Sequence, residues 1–562
     1  MGIREKIEKW AKETLGVETL VLVHPKEIEK GDFALIINGP EAQEGFEKLN
    51  ANKIPEVERV EFAAPRFINI FLSKDFFADS IKDVKEQGEK FGEGDLIKGQ
   101  KIIIEHTNTN VLKPMHIGHL MGNTIGQAIS NIIELSGAEV KRNTYEGDVG
   151  LHIAKAVWGI QKKGGVIEGT LKQKTDYVGQ AYALGADSYE DDAQAQEEIK
   201  ILNKKIFEKS DQEIYKIYEW GRKVSLDHFE ELYKKLNTKF DFYFFESEVS
   251  EEATKIVKEF LAKGVFEESD GAIIFRGENY DKKLHTRVFL TKEGLPLYEA
   301  KDVAHAIRKE GVYTAHKSII ITANEQDSYF KVMLKALEQI DAKVAEKTLH
   351  LSHGILKLPS GKMSSRKGNV ITGEELIKDV EMLVHTKLKD RDYSEEEKAE
   401  IAEVVAVGAI KFSILHQAVG GDIVFDFDKS ISFEGDSGPY LQYTAVRAKS
   451  VLSRVKSQEL RVTERPEEWD STEVEKLLYR FPEVVERAAK EYAPHYIVTY
   501  LLELASSFNS FYANNKIIDP SILLGTGESD ETSPYKIALT SAVYHTLKNG
   551  LKLLAIKVPE KM

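Results

Sequence analysis

Two histidines three residues apart are the first groups in this sequence that could do chemistry. His116 and His119 lie in "NVLKPMHIGHLMGN", residues 110–123. Pro114 suits the first turn of a helix, and a helix start offers free N–H groups and the positive end of a dipole. The two histidines share one face of that turn, and Gly118 lets a flat ligand approach the backbone. Core packing against a sheet is one interpretation, but the pairing after a polar loop favours a phosphate site.

A second group of side chains with chemical potential lies far along the chain. In "SGKMSSRKGN", residues 360–369, the cations Lys362, Arg366 and Lys367 alternate with hydroxyls and glycines. A small, mobile loop of this kind can wrap a polyphosphate. Most basic loops are simply exposed turns, and this segment alone does not decide between the two.

The elements that must position the histidines are those of a parallel sheet. "GQKIIIEHTNTN" is a short apolar strand and a polar loop, a helix follows to about Gly137, and "AEVKRNTYEGDVG" supplies another strand. Strand, helix, strand is a βαβ unit. Residues 160–265 are charged and helical, which indicates an insertion. The runs "GAIIFR", "RVFLT", "KSIIITA" and "LHLSHGILKL" then return as sheet strands.

The two flanks differ from this centre. Residues 1–95 mix apolar strand-length runs with helical spacing, which is typical of a small α+β domain. From about residue 375 the apolar periodicity is helical throughout. We therefore predict a multidomain α/β protein: an N-terminal domain 1–95, a nucleotide-binding parallel-sheet domain 96–375 with the helical insertion 160–265, and an all-helical domain 376–562.

The composition limits the function classes. The 562 residues are enough for about three or four domains. The absence of cysteine excludes disulfides and thiolate zinc ligands and fits a cytoplasmic location. No apolar run approaches the roughly 18 residues of a membrane span, so we expect no membrane partner. The net charge of −15 argues only weakly against nucleic acid, because local patches decide phosphate binding.

Together the two basic segments resemble a known pair of motifs. "HIGH" and "KMSSR" are similar to the two signatures of class I aminoacyl-tRNA synthetases. The resemblance implies ATP as a substrate, Mg²⁺ as its counterion, and His116, His119 and Lys362 as catalytic groups. It implies an ATP site formed by His116, Gly118, His119, Lys362, Met363, Ser364, Ser365 and Arg366. Many family members have a second lysine where this chain has Ser365, and Arg366 or Lys367 could supply that charge.

Further stretches resemble the arginyl-tRNA synthetase family in particular. In chain order they are "EFAAPRFINIFL", "IEHTNTN", "NTYEGDVGLHIA", "GLPLYEAKDVAHA", "ITANEQDSYF", "EGDSGPYLQYTAVRAKSVLSR" and "ASSFNSFYANNKI". They follow the order of the family over nearly the whole chain. The resemblance implies an N-terminal domain that contacts tRNA, a class I catalytic domain, and a helical domain that binds the anticodon.

Arginine makes physical demands that these stretches could meet. A guanidinium presents planar, paired donors and stays charged, so its pocket needs carboxylates and preferably an aromatic face. By resemblance, Tyr298, Asp302 and Glu105 receive the guanidinium, and Asn108, Asn110 and Gln326 bind the other end of the amino acid. The implied arginine site is Glu105, Asn108, Thr109, Asn110, His116, Tyr298, Asp302 and Gln326.

This part of the chain also departs from the pattern of the family. Asn108 and Thr109 replace the commoner Ser-Pro pair, and Lys301 brings a positive charge beside Asp302. We expect Lys301 to point away from the pocket. Isolated carboxylates such as Glu105 and Asp302 are usually surface or solvent-contact groups, and the ordered context favours the pocket instead.

The tRNA-binding residues are predicted from an aromatic and basic stripe. Tyr440, Tyr443 and Arg447 recur at helical spacing, so they share one face. Aromatic rings stack unpaired bases and arginine reaches phosphate. Asn514 and Lys516 follow a second aromatic run and join the predicted tRNA site. Inward packing of either aromatic run is the competing interpretation.

The sequence thus predicts ATP-dependent attachment of L-arginine to its tRNA through an arginyl-adenylate. We expect a cytoplasmic monomer without protein-bound zinc. Three alternatives stay open: another class I synthetase, a small-molecule adenylyltransferase with a His-x-Gly-His element, and a non-catalytic tRNA-binding relative. A cysteine-specific synthetase would usually carry thiolate zinc ligands, which this chain lacks, and intact His116, His119 and Lys362 argue against a non-catalytic relative.

Overall fold

The first module pairs a small sheet with helices. The computed structural model describes residues 2–39, 41–358, 372–455, 465–467, 469–518 and 533–562. Four antiparallel strands lie in the order β1-β2-β4-β3. They are β1 (Val21–Val23), β2 (Phe33–Ile36), β3 (Val57–Ala63) and β4 (Phe67–Leu72). The helices are α1 (Ile3–Leu15), α2 (Glu41–Ala51) and α3 (Lys74–Gln87). Leu35 and Ile68 are fully buried between the layers.

A five-stranded parallel sheet forms the centre of the molecule. Its order is β12-β11-β5-β6-β7. The strands are β5 (Lys101–Glu105), β6 (Glu139–Glu146), β7 (Phe242–Phe245), β11 (Lys317–Ala323) and β12 (Thr348–His353). The apolar run Ile102–Ile104 is buried, as expected for a parallel strand covered on both faces. The strand order reverses between β5 and β11, and ligands of such sheets bind outside the carboxyl ends at this reversal.

Helices cover this sheet and extend beyond it. They are α4 (Ile117–Leu135), α5 (Leu151–Lys162), α6 (Leu171–Asp191), α7 (Ala193–Glu208), α8 (Gln212–Lys235), α9 (Glu246–Ala262), α10 (Tyr298–Val312), α11 (Asp327–Ile340) and α12 (Ala342–Lys347). Helices α5 to α8 lie between β6 and β7 in the chain. Helices α5 and α6 approach closely because a Cβ on Gly159 would lie 2.0 Å from the carbonyl oxygen of Ala181.

Two strand assignments differ from the expectation. The aromatic strand β7 joins the parallel sheet, although it lies inside the segment predicted to be helical. Four residues between long helices are too short to interrupt the helical periodicity. The runs "GAIIFR" and "RVFLT" form a separate antiparallel sheet instead of returning to the parallel one. That sheet consists of β8 (Glu267–Ser269), β9 (Ala272–Arg276) and β10 (Thr286–Leu290).

Where the structure describes the last part of the chain, that part is helical apart from one short strand. Strand β14 (Ile423–Val424) pairs in parallel with β13 (Leu356–Lys357). The helices are α13 (Gly373–Lys387), α14 (Glu395–Leu415), α15 (Phe427–Ser430), α16 (Gly438–Leu452), α17 (Glu473–Leu478), α18 (Phe481–Glu491), α19 (His495–Asn514) and α20 (Ser533–Leu553). Asn131 of α4 donates to the carbonyl oxygens of Lys552 and Leu553 at 3.1 and 3.2 Å, which joins α20 to the central module. Within the described ranges, no helix combines the length and apolarity needed to cross a membrane.

Candidate active site

The histidine pair caps the start of α4. His116 is the N-cap residue, and its Nδ1 accepts the backbone N–H of His119 at 3.3 Å. The Nδ1 of His119 accepts the N–H of His116 at 3.4 Å, and the ring centroids are 3.5 Å apart. Burial, with a smaller effect of Lys113, lowers the pKa of His116 to about 4, and burial lowers that of His119 further. Both rings are therefore neutral near pH 7 and carry their hydrogen on Nε2, where it can be donated to a ligand.

Gly118 has a steric role in this arrangement. A Cβ on Gly118 would lie 2.9 Å from Cε1 of His116. The glycine therefore makes room for the folded-back His116 ring as well as for an approaching ligand.

The chain that follows the second basic segment contacts the start of α4 at Thr372 and Gly373. Lys362, Met363, Ser364, Ser365 and Arg366 lie outside the described residues. The first described residue after them, Thr372, forms a bridge with His116, and the N–H of Gly373 donates to the carbonyl oxygen of Met115 at 2.7 Å. The chain that carries "KMSSR" thus returns directly to the start of α4.

Asp302 on α10 is a carboxylate without a cation. It is partly buried, the Tyr329 hydroxyl of α11 donates to it, and it makes no ion pair among the residues the structure describes. Burial raises the pKa of Asp302 to about 7, and the carboxylates of Glu105 and Glu246 add to the increase. The hydrogen bond from Tyr329 and the nearby charge of Lys301 oppose it without cancelling it. Tyr298 lies one turn earlier with 53% of its surface exposed. An uncompensated carboxylate beside an open aromatic face is a site for an organic cation.

Glu105, in contrast, is already neutralised. Its Oε2 accepts hydrogen bonds from Lys309 Nζ and His305 Nε2, both at 2.7 Å, and from Asn143 at 3.0 Å. Although burial opposes ionisation, Lys309 and His305 hold the pKa of Glu105 well below its usual value. These contacts disfavour direct binding of a guanidinium by Glu105, and they indicate that it positions α10 against the end of β5.

Lys301 has a partner of its own. Its ammonium bonds to Glu246 at the start of α9 and lies 4.6 Å from the centroid of the Tyr298 ring. Only 4% of Lys301 is exposed. The lysine therefore balances Glu246 and leaves Asp302 without a paired cation.

The loop after β5 has an unusual backbone and is tied to β6. Asn108 has a φ of +50°, its Oδ1 accepts the N–H of Tyr145 at 3.0 Å, and its Nδ2 is 3.4 Å from Glu105. The Thr109 hydroxyl is buried and bonds to Glu146. Asn110 bridges to Gly147, where a Cβ would lie 2.2 Å from its Oδ1. The Asn108 and Thr109 side chains thus serve the loop itself, and their contacts with arginine stay a prediction.

Gln326 lies on the other side of the strand reversal. It ends a short 3-10 turn, Asn324–Gln326, directly after β11 and is exposed. Three residues later Tyr329 bonds to Asp302. The structure therefore brings Gln326 to the same edge of the sheet as the predicted arginine pocket.

Sequence reasoning missed several polar residues of this edge. They are Glu146, Asp148, Glu246, His305, Lys309 and Tyr329. His305 and Lys309 follow Asp302 by three and seven residues, so helical spacing could have placed them on its face. Asp148 is fully buried and accepts from Arg222 Nε at 3.1 Å and from Ser247 Oγ at 2.7 Å. No local pattern indicates its partners, because they come from α8 and α9.

The predicted tRNA residues form a partly exposed cluster at the far end of the chain. The Arg447 guanidinium lies 4.7 Å from the Tyr443 ring centroid and 5.2 Å from that of Tyr512. Arg447 donates to Asn509 at 2.6 Å, and Asn509 donates to the Tyr440 hydroxyl at 3.0 Å. We call these five residues the arginine–aromatic cluster. Asn514 and Lys516 are exposed at the adjacent end of α19.

This architecture defines a class of enzyme. A paired His-x-Gly-His element begins the helix after the central strand of a reversing parallel sheet, and Thr372, which follows the basic segment in the chain, lies beside it. A helical module follows in the chain. These are the features of a class I aminoacyl-tRNA synthetase.

Comparison with known proteins supports the same class of enzyme and identifies the family within that class. Residues 80–427 match the family model "tRNA synthetases class I (R), catalytic domain", and residues 441–562 match the "DALR anticodon binding domain". The arginine–tRNA ligase of Borrelia turicatae is 31% identical, with 100% of this chain and 99% of the relative covered. That of Fusobacterium nucleatum is 32% identical over 90% of this chain and 87% of the relative. The chain belongs to the arginyl family of class I tRNA synthetases.

Solved structures share the fold. Arginyl-tRNA synthetase from Thermus thermophilus superposes with a TM-score of 0.77 at 23% identity over 100% of both chains. Methionyl-tRNA synthetase from Mycobacterium tuberculosis reaches 0.51 at 14% identity, covering 82% of this chain and 92% of that one. A fold shared with a methionine enzyme does not by itself specify the amino acid.

Proposed function

We propose that the carboxyl edge of the parallel sheet activates arginine with ATP and transfers it to tRNA. The arginine carboxylate attacks the α-phosphorus of ATP, and the bond to pyrophosphate breaks. A terminal ribose hydroxyl of tRNA then attacks the arginyl carbonyl of the adenylate and loses its proton, the acyl–phosphate bond breaks, and AMP leaves. The observation that carries the choice of arginine is Asp302, a partly buried carboxylate that has no ion-pair partner among the described residues and lies one helical turn from the exposed Tyr298 ring.

The nucleotide side is assigned to the start of α4. His116 and His119 would donate their Nε2 hydrogens to phosphate oxygens, assisted by the helix dipole. Because each Nδ1 already accepts a backbone N–H, the Nε2–H of each neutral ring is the group that can donate to phosphate. Lys362 would approach from the loop that ends at Thr372 and stabilise the departing pyrophosphate. Positioning and charge stabilisation of this kind supply most of the catalysis in phosphoryl chemistry.

The arginine side is assigned to α10. Asp302 would pair with the guanidinium and Tyr298 would cover its face, while Gln326, Asn108 and Asn110 are the candidates for the amino-acid end. A neutral side chain in this pocket would leave the Asp302 charge unpaired, which is the costly outcome that gives polar pockets their selectivity. Glu105 and Lys301 would act indirectly by holding α10 and Glu246.

The tRNA is assigned to the flanking modules. We propose that residues 1–95 contact the tRNA body, that residues 96–375 carry the chemistry, and that residues 376–562 bind the anticodon. The arginine–aromatic cluster, with Asn514 and Lys516 beside it, offers rings for unpaired bases and cations for phosphate. We also expect tRNA to be required before arginine is activated.

The remaining partners follow from this chemistry. We propose that Mg²⁺ enters as the counterion of ATP, since no cluster of three or more potential ligands exists among the described residues. We further propose a monomer that acts in the cytoplasm, where its substrates are found, and that binds no zinc. Sedimentation at working concentration tests the monomer.

One experiment tests the central assignment. ATP–pyrophosphate exchange is measured with each amino acid in turn, with and without tRNA. We expect exchange with arginine alone among them, and only when tRNA is present. Absence of arginine-dependent exchange with suitable tRNA would contradict the proposal, and exchange with another amino acid would reassign the pocket.

A further inference from the structure

A buried carboxyl group at the end of β6 has no role in the mechanism above. Glu146 is fully buried, and three hydroxyls point at it. Thr144 donates to its Oε1 at 2.9 Å, Tyr233 donates to the same oxygen at 3.1 Å, and Thr109 donates to its Oε2. Among the residues the structure describes, Glu146 has no ion-pair partner. The arrangement suits an ionised carboxylate, because all three hydroxyls that bond to it can donate.

Helix α8 of the insertion provides one of these hydroxyls and further anchors. Tyr233 bonds to Glu146, Ser225 accepts the N–H of Leu112 at 2.8 Å, and Arg222 and Tyr218 bond to Asp148. These side chains recur at helical spacing and face the carboxyl edge of the sheet. Helix α8 is thus fastened to the loop after β5 and to the segment after β6.

The loop that receives these anchors is strained. Thr107 and Asn108 have φ values of +79° and +50°, and Leu112 has +58°. Positive φ is unfavourable for residues other than glycine and persists only when surrounding contacts impose it. The same loop carries Asn108 and Asn110 and leads directly into the histidines. Its conformation therefore decides where those groups lie.

We infer that Glu146 and Tyr233 are positioning residues for arginine activation: the ionised carboxylate gathers three hydroxyls and so holds the strained loop in its binding geometry. The inference rests on the proposed function, because the loop matters to arginine only if arginine binds there. Glu146 touches no substrate in this scheme and acts through Thr109.

The arrangement predicts that arginine activation weakens when Glu146 is protonated. Burial raises the pKa of Glu146 to about 7, the three hydroxyls oppose that increase, and the nearby Asp148 adds to it. Tyr233 on α8 and Tyr243 on β7 are the other titratable groups that face it. Below this pH the protonated carboxyl becomes a donor, and the hydroxyls that donate to it lose part of their acceptor. The loop is then less firmly held.

Two carboxyls should therefore have to ionise before arginine is used. Asp302 must be charged to pair with the guanidinium, and Glu146 must be charged to hold the loop. Since both pKa values are about 7, kcat/KM for arginine should fall on the acid side with a limiting slope of two protons.

The test compares Glu146→Gln, Tyr233→Phe and the control Tyr177→Phe in tRNA-dependent exchange across about pH 5 to about pH 9. Tyr177 lies on α6 and loses a similar hydrogen bond, to the carbonyl oxygen of Gly165 at 2.6 Å, in the segment between α5 and α6. We expect E146Q to reduce the acid slope to one proton. Y233F should move the inflection to higher pH and raise the KM for arginine about 2–10-fold, the effect of one hydrogen bond. The KM for ATP and the Y177F profile should match wild type.

The outcomes separate two kinds of failure. If E146Q keeps a slope of two protons, or if Y233F leaves both the inflection and the arginine KM unchanged, the positioning role is wrong. If E146Q does not fold, the result with Y233F decides whether the positioning role is correct. If wild-type protein shows no arginine-dependent exchange at any pH, the proposed function fails instead. A purely structural role would lower stability without changing the slope.

Discussion

The nucleotide and arginine sides of the active site are built on opposite principles. At the start of α4, His116 and His119 satisfy each other's backbone and are held neutral by burial. At α10, Asp302 is a carboxylate whose neighbours include two further carboxylates and no paired cation. The two histidines therefore carry no unpaired charge before a ligand binds. The charge of Asp302, in contrast, is paired only when a cationic ligand binds.

This difference indicates which side of the active site contributes to rate and which contributes to specificity. A neutral, pre-formed donor pair costs little in the free protein and needs no rearrangement when charge develops on phosphate. An uncompensated carboxylate destabilises the free protein and recovers that cost when a guanidinium binds. Specificity is therefore expected to reside on the unbalanced side and rate enhancement on the balanced one.

The largest expected effect comes from removing the unbalanced charge. Asp302→Asn keeps the shape and the hydrogen bond from Tyr329 but leaves a bound guanidinium unpaired. Truncating one partner of a buried charge pair costs about 2–5 kcal/mol, so kcat/KM for arginine should fall on the order of 10²–10³-fold. The KM for ATP should stay within about twofold of wild type.

A carboxylate on the same helix provides the control. Glu310 pairs with Lys347 at 2.7 Å, away from the carboxyl edge, and Glu310→Gln should leave arginine kinetics unchanged. If D302N and E310Q have the same kcat/KM for arginine, Asp302 does not bind arginine. The proposed difference between the nucleotide and arginine sides would then be wrong.

The next effect tests whether the balanced side is pre-formed. Gly118→Ala would place a Cβ 2.9 Å from Cε1 of His116, which forces the ring out of its stack. Loss of one pre-organised donor costs on the order of 10²-fold in kcat, and arginine affinity should hardly change. Gly179→Ala is the matched helix control, because no atom lies within 4 Å of a Cβ there. Unchanged kcat in G118A would show that the ring adjusts freely.

The two sides also differed in how far sequence could predict them. The histidine pair is local: a strand, a polar loop and a helix start follow each other in the chain, so spacing alone indicated a phosphate site. The Tyr298–Asp302 turn was likewise visible as one helical turn. The residues that set the pKa of Asp302 are not visible in the sequence, because Glu246, Tyr329 and Glu105 come from three other elements.

The predicted fold class is confirmed, and the strand assignments that differ from the prediction have a similar cause in locality. The central strand and its helix were predicted from continuous patterns, whereas β7 is four residues long between long helices. The neutralisation of Glu105 by Lys309 joins residues 204 positions apart, and the family resemblance gave no indication of it. Pairing across such distances is set by packing, which a single sequence does not display.

A smaller effect should separate tRNA binding from both sides of the active site. Arg447→Ala removes the guanidinium from between Tyr443 and Tyr512, and stacking contacts of this type contribute about 1–3 kcal/mol. We expect the KM for tRNA to rise about tenfold, with the arginine and ATP KM values unchanged at saturating tRNA. Arg487→Ala is the control, since the exposed Arg487 of α18 lies 3.8 Å from the ring centroid of Tyr496 on α19 in a similar cation–aromatic pair. Equal effects of R447A and R487A would place the anticodon elsewhere.

The smallest expected effect measures the cost of the unbalanced charge directly. The pKa of Asp302 is raised from 3.8 to about 7 on folding, so the folded state binds its proton more tightly than the unfolded state. Stability is then lost as pH rises from about 4 to about 7 and stays low above that. D302N lacks this penalty, and its Tm without ligand should exceed that of wild type by about 1–3 °C at pH 8 and by less at pH 5. Saturating arginine should reverse the order, because only wild type retains the carboxylate that binds the guanidinium. A D302N protein that is less stable than wild type at pH 8 would mean that Asp302 is already compensated, and the two sides of the site would then be alike.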